Sequence, residues 1–197
     1  MTLFPLFWLI LAFVFGALPF SVWFGKLFLR QDVRSVGDSN PGATNAWKMG
    51  GWRLGFPVLL LDFLKGAIPV GIAYQVWGWE GALLLAVSLA PILGHDFSPF
   101  LGGRGGKGLA TTFGVWTGLT LAEAPVILGV SMALLLWLRV RDGWAIVFSL
   151  LVLLLDLILR PHPPIFLMVW FVTTALLIWT YRQKLHPPVR HARSQRE

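Results

Sequence analysis

The sequence contains no cysteine and little charge. Of its 197 residues, 13% are charged and 56% are hydrophobic, and the mean hydropathy is +0.72. The missing cysteines exclude disulfides, thiolate nucleophiles and thiolate metal sites. Because a soluble domain has about 25% charged residues, this composition indicates an integral membrane protein. No soluble domain, linker or internal repeat is recognisable, which predicts one membrane domain over residues 1–197.

Apolar runs fill most of the chain and predict an all-α polytopic fold with seven transmembrane helices, several of them short. A helix needs about 20 apolar residues to cross a bilayer. The predicted spans are residues 3–24, 54–77, 80–94, two short helices within 107–139, 144–160 and 163–181. A single helix over the 33 residues 107–139 would be about 50 Å long. Residues 120–125, with Glu123 and Pro125 suited to a helix start, predict the break.

Positive charge is distributed unevenly between the two sides of this predicted bundle. Of the 16 Lys and Arg residues, Arg160 falls on one side and Lys65 within a span, and the other 14 fall on the opposite side. The positive-inside rule therefore predicts a plasma (inner) membrane protein with the N-terminus outside and a basic cytoplasmic tail, residues 182–197. The cations face anionic membrane lipids, so nucleic acid is not expected as a partner. The sequence does not predict an oligomeric state.

Two polar, glycine-rich stretches fall on the predicted cytoplasmic side. They are "DVRSVGDSNPGATNAWKMGG" (32–51) and "GHDFSPFLGGRGGKGLATTFG" (94–114), both expected to be loops. Glycine lets a ligand approach the main chain, and cations beside free N–H groups suit an anion such as phosphate. The two stretches predict one shared pocket for a polar anion. The alternative is a pair of flexible loops whose cations only hold lipid headgroups.

Other motifs of site chemistry are missing. There is no HExxH, and the four histidines are scattered, so no metal site is predicted. The GxGxxG match at 103–108 has no βαβ unit around it, and Gly108 after Lys107 excludes a Walker A loop. Asp62 and Lys65, three apart in one span, predict a structural ion pair. Asp156 and Arg160, four apart, predict another.

The two stretches resemble motifs of the PlsY family, the membrane acyl-phosphate:glycerol-3-phosphate acyltransferases of bacteria. Residues 32–45 resemble its first motif, residues 94–114 its second, and "DFLKG" (62–66) an element of its second span. The resemblance implies seven spans with the N-terminus outside and the active site in the cytoplasm. It also implies transfer of a fatty acyl group from acyl phosphate to the 1-hydroxyl of glycerol 3-phosphate in phospholipid biosynthesis, without a cofactor.

The chain departs from the family pattern at three places. Family members have Gly-Ser-Gly-Asn where this chain has "GDSN" (37–40), so their functional serine falls on Asp38. Lys48 replaces the family arginine after "GATN" and lacks its bidentate guanidinium. The third motif is not recognisable in "LHPPVRHARSQRE", where His186 and His191 are the candidate substitutes.

Together, the residues and the resemblance assign a candidate site. The catalytic candidates are Asp38, Ser39, His95 and Lys107, with Asp38, His95 or a substrate phosphate oxygen as proton acceptor. The candidate substrate-binding and phosphate-binding residues are Arg34, Asn40, Gly42, Thr44, Asn45, Lys48, Arg104, Gly105, Gly106, Gly108 and Thr111. Two alternatives remain: acylation of another phosphorylated alcohol, and a non-catalytic binder or transporter of a phosphorylated solute or lipid.

Overall fold

The computed structural model describes residues 3–185, which form eight α-helices and no β-strand. The helices are α1 (Phe4–Ala17), α2 (Phe20–Leu29), α3 (Ala43–Gly71), α4 (Gly81–Asp96), α5 (Leu109–Thr120), α6 (Glu123–Trp137), α7 (Asp142–Leu159) and α8 (Ile165–Leu185). A π-helical turn, Ile72–Val76, continues α3, and 3-10 turns occupy Val33–Ser35 and Pro99–Leu101. The predicted all-α class is confirmed. The tail residues 186–197, with His186 and His191, lie outside the described residues.

Four helical segments of the described chain are long and apolar enough to cross a membrane. They are Ala43–Val76, Gly81–Leu101, Asp142–Leu159 and Ile165–Leu185. The bent pair α1 and α2 makes a fifth if it counts as one span, and α6 is a shorter apolar helix. The predicted total of seven spans depends on counting the short helices α5 and α6 as crossings, and it stays a prediction.

The first predicted span, 3–24, is a broken helix. The chain bends by 40° between α1 and α2, at Leu18 and Pro19. Proline has no N–H to donate and clashes with the preceding turn, so it ends a helix that composition alone would continue. The second part then runs to Leu29, beyond the predicted end.

The first glycine-rich stretch was expected to be a loop, and its second half is helical. Helix α3 begins at Ala43, and the positive φ of Gly51 (63°) kinks it before the apolar part of the helix. Ala46, Leu54 and Val58 pack with Val22 of α2 in a small buried cluster. This packing stabilises a helical conformation that the polar composition of residues 43–50 does not favour by itself.

The predicted break within residues 107–139 is confirmed. Helix α5 ends at Thr120 and α6 begins at Glu123. The Thr120 hydroxyl accepts a hydrogen bond of 3.0 Å from the N–H of Ala124, which satisfies one of the free donors at the start of α6.

Helices α3 and α5 approach closely because each presents a glycine to the backbone of the other. A Cβ atom on Gly66 would overlap the Thr111 carbonyl, and one on Gly114 would overlap the Phe63 carbonyl. Small residues allow such contacts between membrane helices. The contact fixes the first turn of α5 beside the middle of α3, where the polar side chains of the candidate site begin.

Candidate active site

A polar cleft of about 430 Å³ lies where the start of α3, the end of α4, the start of α5 and the end of α8 meet. It is lined by Asn40, Gly42, Ala43, Thr44, Leu59, Asp62, His95, Lys107, Gly108, Leu109, Ala110 and Tyr181. Both glycine-rich stretches contribute to it. The structure therefore brings residues 40–44 and 107–110 into one pocket, as their composition predicts.

Asp38 and Lys107 join the two stretches by an ion pair at this cleft. Lys107 Nζ lies 2.5 Å from Asp38 Oδ2, and Asn45 Nδ2 donates to Asp38 Oδ1 over 3.0 Å. Burial raises the pKa of Asp38. The hydrogen bond and charge of Lys107, together with the hydrogen bond from Asn45, outweigh burial and lower the pKa to about 2. Asp38 is therefore ionised at neutral pH and neutralises the cation that was predicted to hold phosphate.

The backbone of Gly105 and Gly106 does not present its N–H groups to the cleft, contrary to the predicted phosphate cradle. Gly105 donates to the Asp96 carbonyl and Gly106 to the His95 carbonyl, each over 3.0 Å. The last carbonyls of a helix have no partner within it, and this loop supplies donors to α4. A Cβ atom on Gly106 would overlap the His95 imidazole. The glycines are needed here because the loop folds back onto the end of α4.

Beneath the cleft lies a buried row of ionisable side chains. Lys65 Nζ is 2.7 Å from Asp62 Oδ1, and both side chains are at most 3% exposed. The predicted structural pair is confirmed. His95 Nδ1 lies 3.8 Å from the same Asp62 oxygen. Since Asp62 and His95 line the cleft, the pair also supports the floor of the candidate site.

Several predicted site residues do not line the cleft: Arg34, Asp38, Ser39, Asn45, Lys48, Arg104, Gly105, Gly106 and Thr111. Arg34 instead binds Asp32 over 2.7 Å, and this hydrogen bond lowers the pKa of Asp32 to about 2. The buried Thr111 hydroxyl donates to the Asp62 carbonyl over 2.9 Å, so it holds α5 against α3. Ser39, Lys48 and Arg104 are exposed. Asn45 acts on the cleft through Asp38.

Tyr181 is the functional candidate that the sequence analysis missed. The Lys107 ammonium lies 5.2 Å from the centre of its ring, within the range of a cation–π interaction. Its neighbour Thr180 donates to the Lys107 carbonyl over 3.2 Å. Helix α8 therefore fixes both the backbone and the side chain of Lys107. Tyr181 lies in an apolar run with no motif around it, so nothing in the sequence marks it.

The polar cleft continues into an apolar groove. The groove has a volume of about 770 Å³ and is lined by Phe56, Leu59, Leu60, Phe63, Leu109, Ala110, Phe113 and Met132. Leu59, Leu109 and Ala110 line both spaces. A molecule with a charged head and a hydrocarbon tail could place one part in each.

Comparison with known proteins gives consistent matches. The family model described as "Glycerol-3-phosphate acyltransferase" matches residues 6–190. The glycerol-3-phosphate acyltransferase of Aquifex aeolicus is 34% identical over 181 residues, covering 92% of this chain and 93% of its own. Glycerol-3-phosphate acyltransferase 1 of Thermotoga maritima is 43% identical over 120 residues, 59% of this chain and 58% of its own length. The match covers 51% of the glycerol-3-phosphate acyltransferase of Leptospira borgpetersenii. This chain therefore spans little more than half the length of these two relatives.

Two crystal structures of PlsY (YgiH), an integral membrane glycerol 3-phosphate acyltransferase, share the fold. The glycerol 3-phosphate form superposes with a TM-score of 0.83 at 32% identity, covering 92% of this chain and 90% of that one. The lysophosphatidic acid form gives 0.81 at 31% identity, covering 92% and 89%. The fold, the sequence match over residues 6–190 and the two motif stretches agree: this chain belongs to the glycerol-3-phosphate acyltransferase family, a family of multi-pass membrane proteins.

Proposed function

We propose that this protein transfers a fatty acyl group from acyl phosphate to the 1-hydroxyl of sn-glycerol 3-phosphate, giving lysophosphatidate and inorganic phosphate. The observation that carries this proposal is the continuity of the polar cleft with the apolar groove through Leu59, Leu109 and Ala110. The reaction needs a phosphate site and a hydrocarbon site that meet at the reacting carbonyl. Family membership and the two PlsY structures, a glycerol 3-phosphate form and a lysophosphatidic acid form, support the same substrate and product.

Lys107 is the expected phosphate ligand because it is the lysine that lines the cleft. Asn40 and Thr44 line the same cleft and can orient the glycerol hydroxyls by hydrogen bonds. Lys48 and Arg104 stay candidate phosphate ligands that would have to reach the cleft from exposed positions. When a phosphate binds Lys107, the carboxylate of Asp38 has to give way, since two anions cannot share one ammonium without repulsion.

An acyl phosphate is a mixed anhydride, so the reaction requires no covalent enzyme intermediate. The hydroxyl oxygen of the acceptor attacks the carbonyl carbon, the bond from that carbon to the phosphate oxygen breaks, and phosphate leaves. Holding the two reactants in line lowers the barrier by itself, and Lys107 stabilises the charge that develops on the leaving phosphate. While it is paired with Lys107, Asp38 has a pKa of about 2 and is a weak base for the hydroxyl proton. The candidate acceptors for that proton are His95, a phosphate oxygen, and Asp38 once phosphate has displaced it from Lys107.

The proposed orientation places this cleft at the cytoplasmic face of the plasma membrane, where glycerol 3-phosphate is available. It follows from the 14 cations on the side of the two motif stretches. The groove residues Phe56 and Leu60 are exposed on the surface of the bundle. An acyl chain could therefore enter the groove from the bilayer without crossing water.

The replacement of the family serine by Asp38 favours a second candidate, the same transfer to another phosphorylated alcohol. The carboxylate competes with the acceptor's phosphate for Lys107. An acceptor with other groups that bind the cleft would depend less on Lys107 than glycerol 3-phosphate does. A non-catalytic transporter differs from both candidates because it would release no phosphate from acyl phosphate.

A direct assay tests the proposal with protein purified in detergent. Palmitoyl phosphate is supplied with sn-glycerol 3-phosphate, and phosphate and lysophosphatidate are both measured. We expect equal amounts of the two products, dependent on both substrates, and little turnover when palmitoyl-coenzyme A replaces palmitoyl phosphate. Equal turnover with the thioester would contradict the donor assignment. Phosphate release that depends on a different phosphorylated alcohol would favour the second candidate, and no release at all would contradict acyl transfer.

A further inference from the structure

A second cluster of ionisable side chains lies at the end of the bundle opposite the polar cleft. Helix α5 begins beside the cleft and ends at Thr120. Glu123, at the start of α6, therefore lies at the far end of the bundle. Asp156 in the last turn of α7 and His162 in the connection to α8 meet it there. One ligand atom from each of the three side chains lies within 4.8 Å of the others. The sequence predicts no metal site because the histidines are far apart in the chain.

The two atoms at the centre of this cluster lack hydrogen-bond partners. His162 Nε2 and Asp156 Oδ2 are buried, 3.3 Å apart, and neither makes a hydrogen bond. The Asp156 side chain is only 9% exposed and the His162 side chain 12%. A buried carboxylate oxygen without a partner is costly, so a binding partner for this pair is expected. The Glu123 Oε1 atom lies 3.9 Å from His162 Nε2, and the Glu123 side chain is 32% exposed.

The charges of the cluster do not cancel. Arg160 Nη1 binds Glu123 over 2.8 Å and its Nε binds Asp156 Oδ1 over 3.0 Å, which confirms the predicted pair of Asp156 and Arg160. With a neutral His162, two carboxylates and one guanidinium leave a net negative charge. Arg160 uses one oxygen of Asp156 and leaves Oδ2 facing His162. Its side chain is 62% exposed, so it can withdraw toward water if a cation binds.

We propose that Glu123, Asp156 and His162 form a binding site for a divalent transition-metal ion of the Zn²⁺ class. One imidazole nitrogen and two carboxylate oxygens are a ligand set that Zn²⁺ accepts, with a fourth position for water. Two ligands about 2.0–2.1 Å from a tetrahedral ion lie roughly 3.3 Å apart. The separation of Asp156 Oδ2 and His162 Nε2 is the same. Glu123 completes the set by a small movement of its partly exposed carboxylate.

Such an ion would connect the start of α6, the end of α7 and the turn before α8. Its effect would be on the stability of this end of the bundle, because the cleft lies at the other end. Zn²⁺ bound only to the folded protein raises the unfolding temperature by mass action. The alternative occupant is a proton, which would make His162 an imidazolium and give an ordinary ion-pair network.

The test is Zn²⁺ binding by the full-length protein in detergent, purified without a polyhistidine tag. His186 and His191 are replaced by glutamine in every protein compared, so that tail histidines do not contribute. We expect one Zn²⁺ per chain by calorimetry and a Zn²⁺-dependent rise in the unfolding temperature. His162→Gln should weaken binding by at least the roughly 10- to 100-fold that loss of a residue outside the ligand set costs in known sites.

Arg160→Gln separates the metal from the proton. If Zn²⁺ competes with the guanidinium for the two carboxylates, this variant binds Zn²⁺ more tightly than the wild type. In an ion-pair network it only loses stability, with no gain from Zn²⁺. Unchanged binding in His162→Gln, or no Zn²⁺ binding by the wild type, would overturn the proposal. If His162→Gln does not fold, the visible spectrum of Co²⁺ added to the wild type tests the proposal instead. We expect the spectrum of tetrahedral Co²⁺, and its absence would contradict the proposed metal site.

Discussion

The carboxylate of Asp38 lies 2.5 Å from the ammonium of Lys107, although the two residues are 69 positions apart in the chain. The contact joins the two glycine-rich stretches and occupies the cation that we propose as the phosphate ligand. In the first motif of the PlsY family, a serine occupies the position of Asp38. An uncharged side chain there would leave Lys107 to the substrate, whereas Asp38 makes phosphate binding an exchange of one anion for another.

We expect Asp38→Asn to lower the KM for glycerol 3-phosphate and to change kcat little. The amide keeps the shape of the side chain, and its oxygen can still accept the hydrogen bond from Asn45, but the competing charge is removed. A charge-assisted contact is worth about 1.5–3 kcal/mol. Because Asp38 is 41% exposed, water screens the interaction, and a KM decrease of about three- to tenfold is expected. Steady-state kinetics in both substrates measure it. A loss of kcat without a change in KM would instead make Asp38 catalytic.

The pH dependence of the Asp38–Lys107 ion pair follows from the lowered pKa of Asp38. The pKa of Asp38 is about 2 in the folded protein, whereas an unperturbed aspartate has a pKa of 3.8. A lowered pKa means that the ion pair contributes its stability above about pH 4, and that this contribution is lost as the pH falls toward 2. Between pH 5 and 9 the group does not titrate. Asp38→Asn should therefore leave the shape of the kcat/KM profile, which reports the free enzyme, unchanged over that range.

Lys107→Ala should lower kcat/KM for the acyl transfer by roughly 10- to 100-fold, the equivalent of about 1.5–3 kcal/mol for a lost charge-assisted contact. The phosphate would lose the cation that lines the cleft, and Asp38 would remain to repel it. Arg139→Gln is the matched control, since it removes a cation from the connection between α6 and α7, which does not line the cleft. Equal, small losses in both variants would mean that these cations only hold lipid headgroups.

Gly106→Ala should lower the unfolding temperature because the added methyl group overlaps the His95 imidazole. Overpacking of this kind costs about 1–3 kcal/mol. The double variant His95→Ala/Gly106→Ala has room for the methyl group, so its loss should be smaller than the sum of the two single losses. Gly129→Ala is the control, because the nearest atom to its Cβ would be 3.9 Å away. Additive losses in the double variant would show that Gly106 is required for another reason, such as ligand approach.

The sequence predicts well what neighbouring residues determine. The break between Thr120 and Glu123 and the pair of Asp62 and Lys65 both follow from local spacing, and both are confirmed. The glycine-rich composition of 102–108 predicts a tight backbone. Composition does not determine whether the N–H groups donate to a ligand or to the carbonyls of another helix. Here the N–H groups of Gly105 and Gly106 donate to carbonyls at the end of α4.

Contacts between distant parts of the chain are the part that the sequence alone does not supply. Thr180 and Lys107 are 73 residues apart, and helix α8 looks like a uniform apolar span. The same holds for Glu123 and His162, whose approach depends on how α6, α7 and α8 pack. Such contacts are set by helix packing, which leaves no local signal in the residues that meet.

The orientation can be tested directly because the chain has no cysteine. Single cysteines at Ser39 and Glu80 report the two membrane faces, since both positions are exposed. We expect a membrane-impermeant thiol reagent to label Glu80→Cys in intact cells and to label Ser39→Cys only after the cells are opened. The reverse pattern would place the polar cleft outside and contradict the positive-inside prediction.

Substitution of Tyr181 tests whether α8 belongs to the active site. Tyr181→Leu removes the ring 5.2 Å from Lys107 Nζ, and loss of a cation–π interaction of about 0.5–2 kcal/mol predicts a decrease in kcat/KM of roughly 2- to 30-fold. Tyr181→Phe keeps the ring and is the matched control, so its kinetics should stay close to those of the wild type. The effect should appear as a higher KM for glycerol 3-phosphate, because the ring positions the ammonium that we propose as the phosphate ligand. If Tyr181→Phe is as impaired as Tyr181→Leu, the hydroxyl and not the ring is the functional group, and the cation–π account of this residue is wrong.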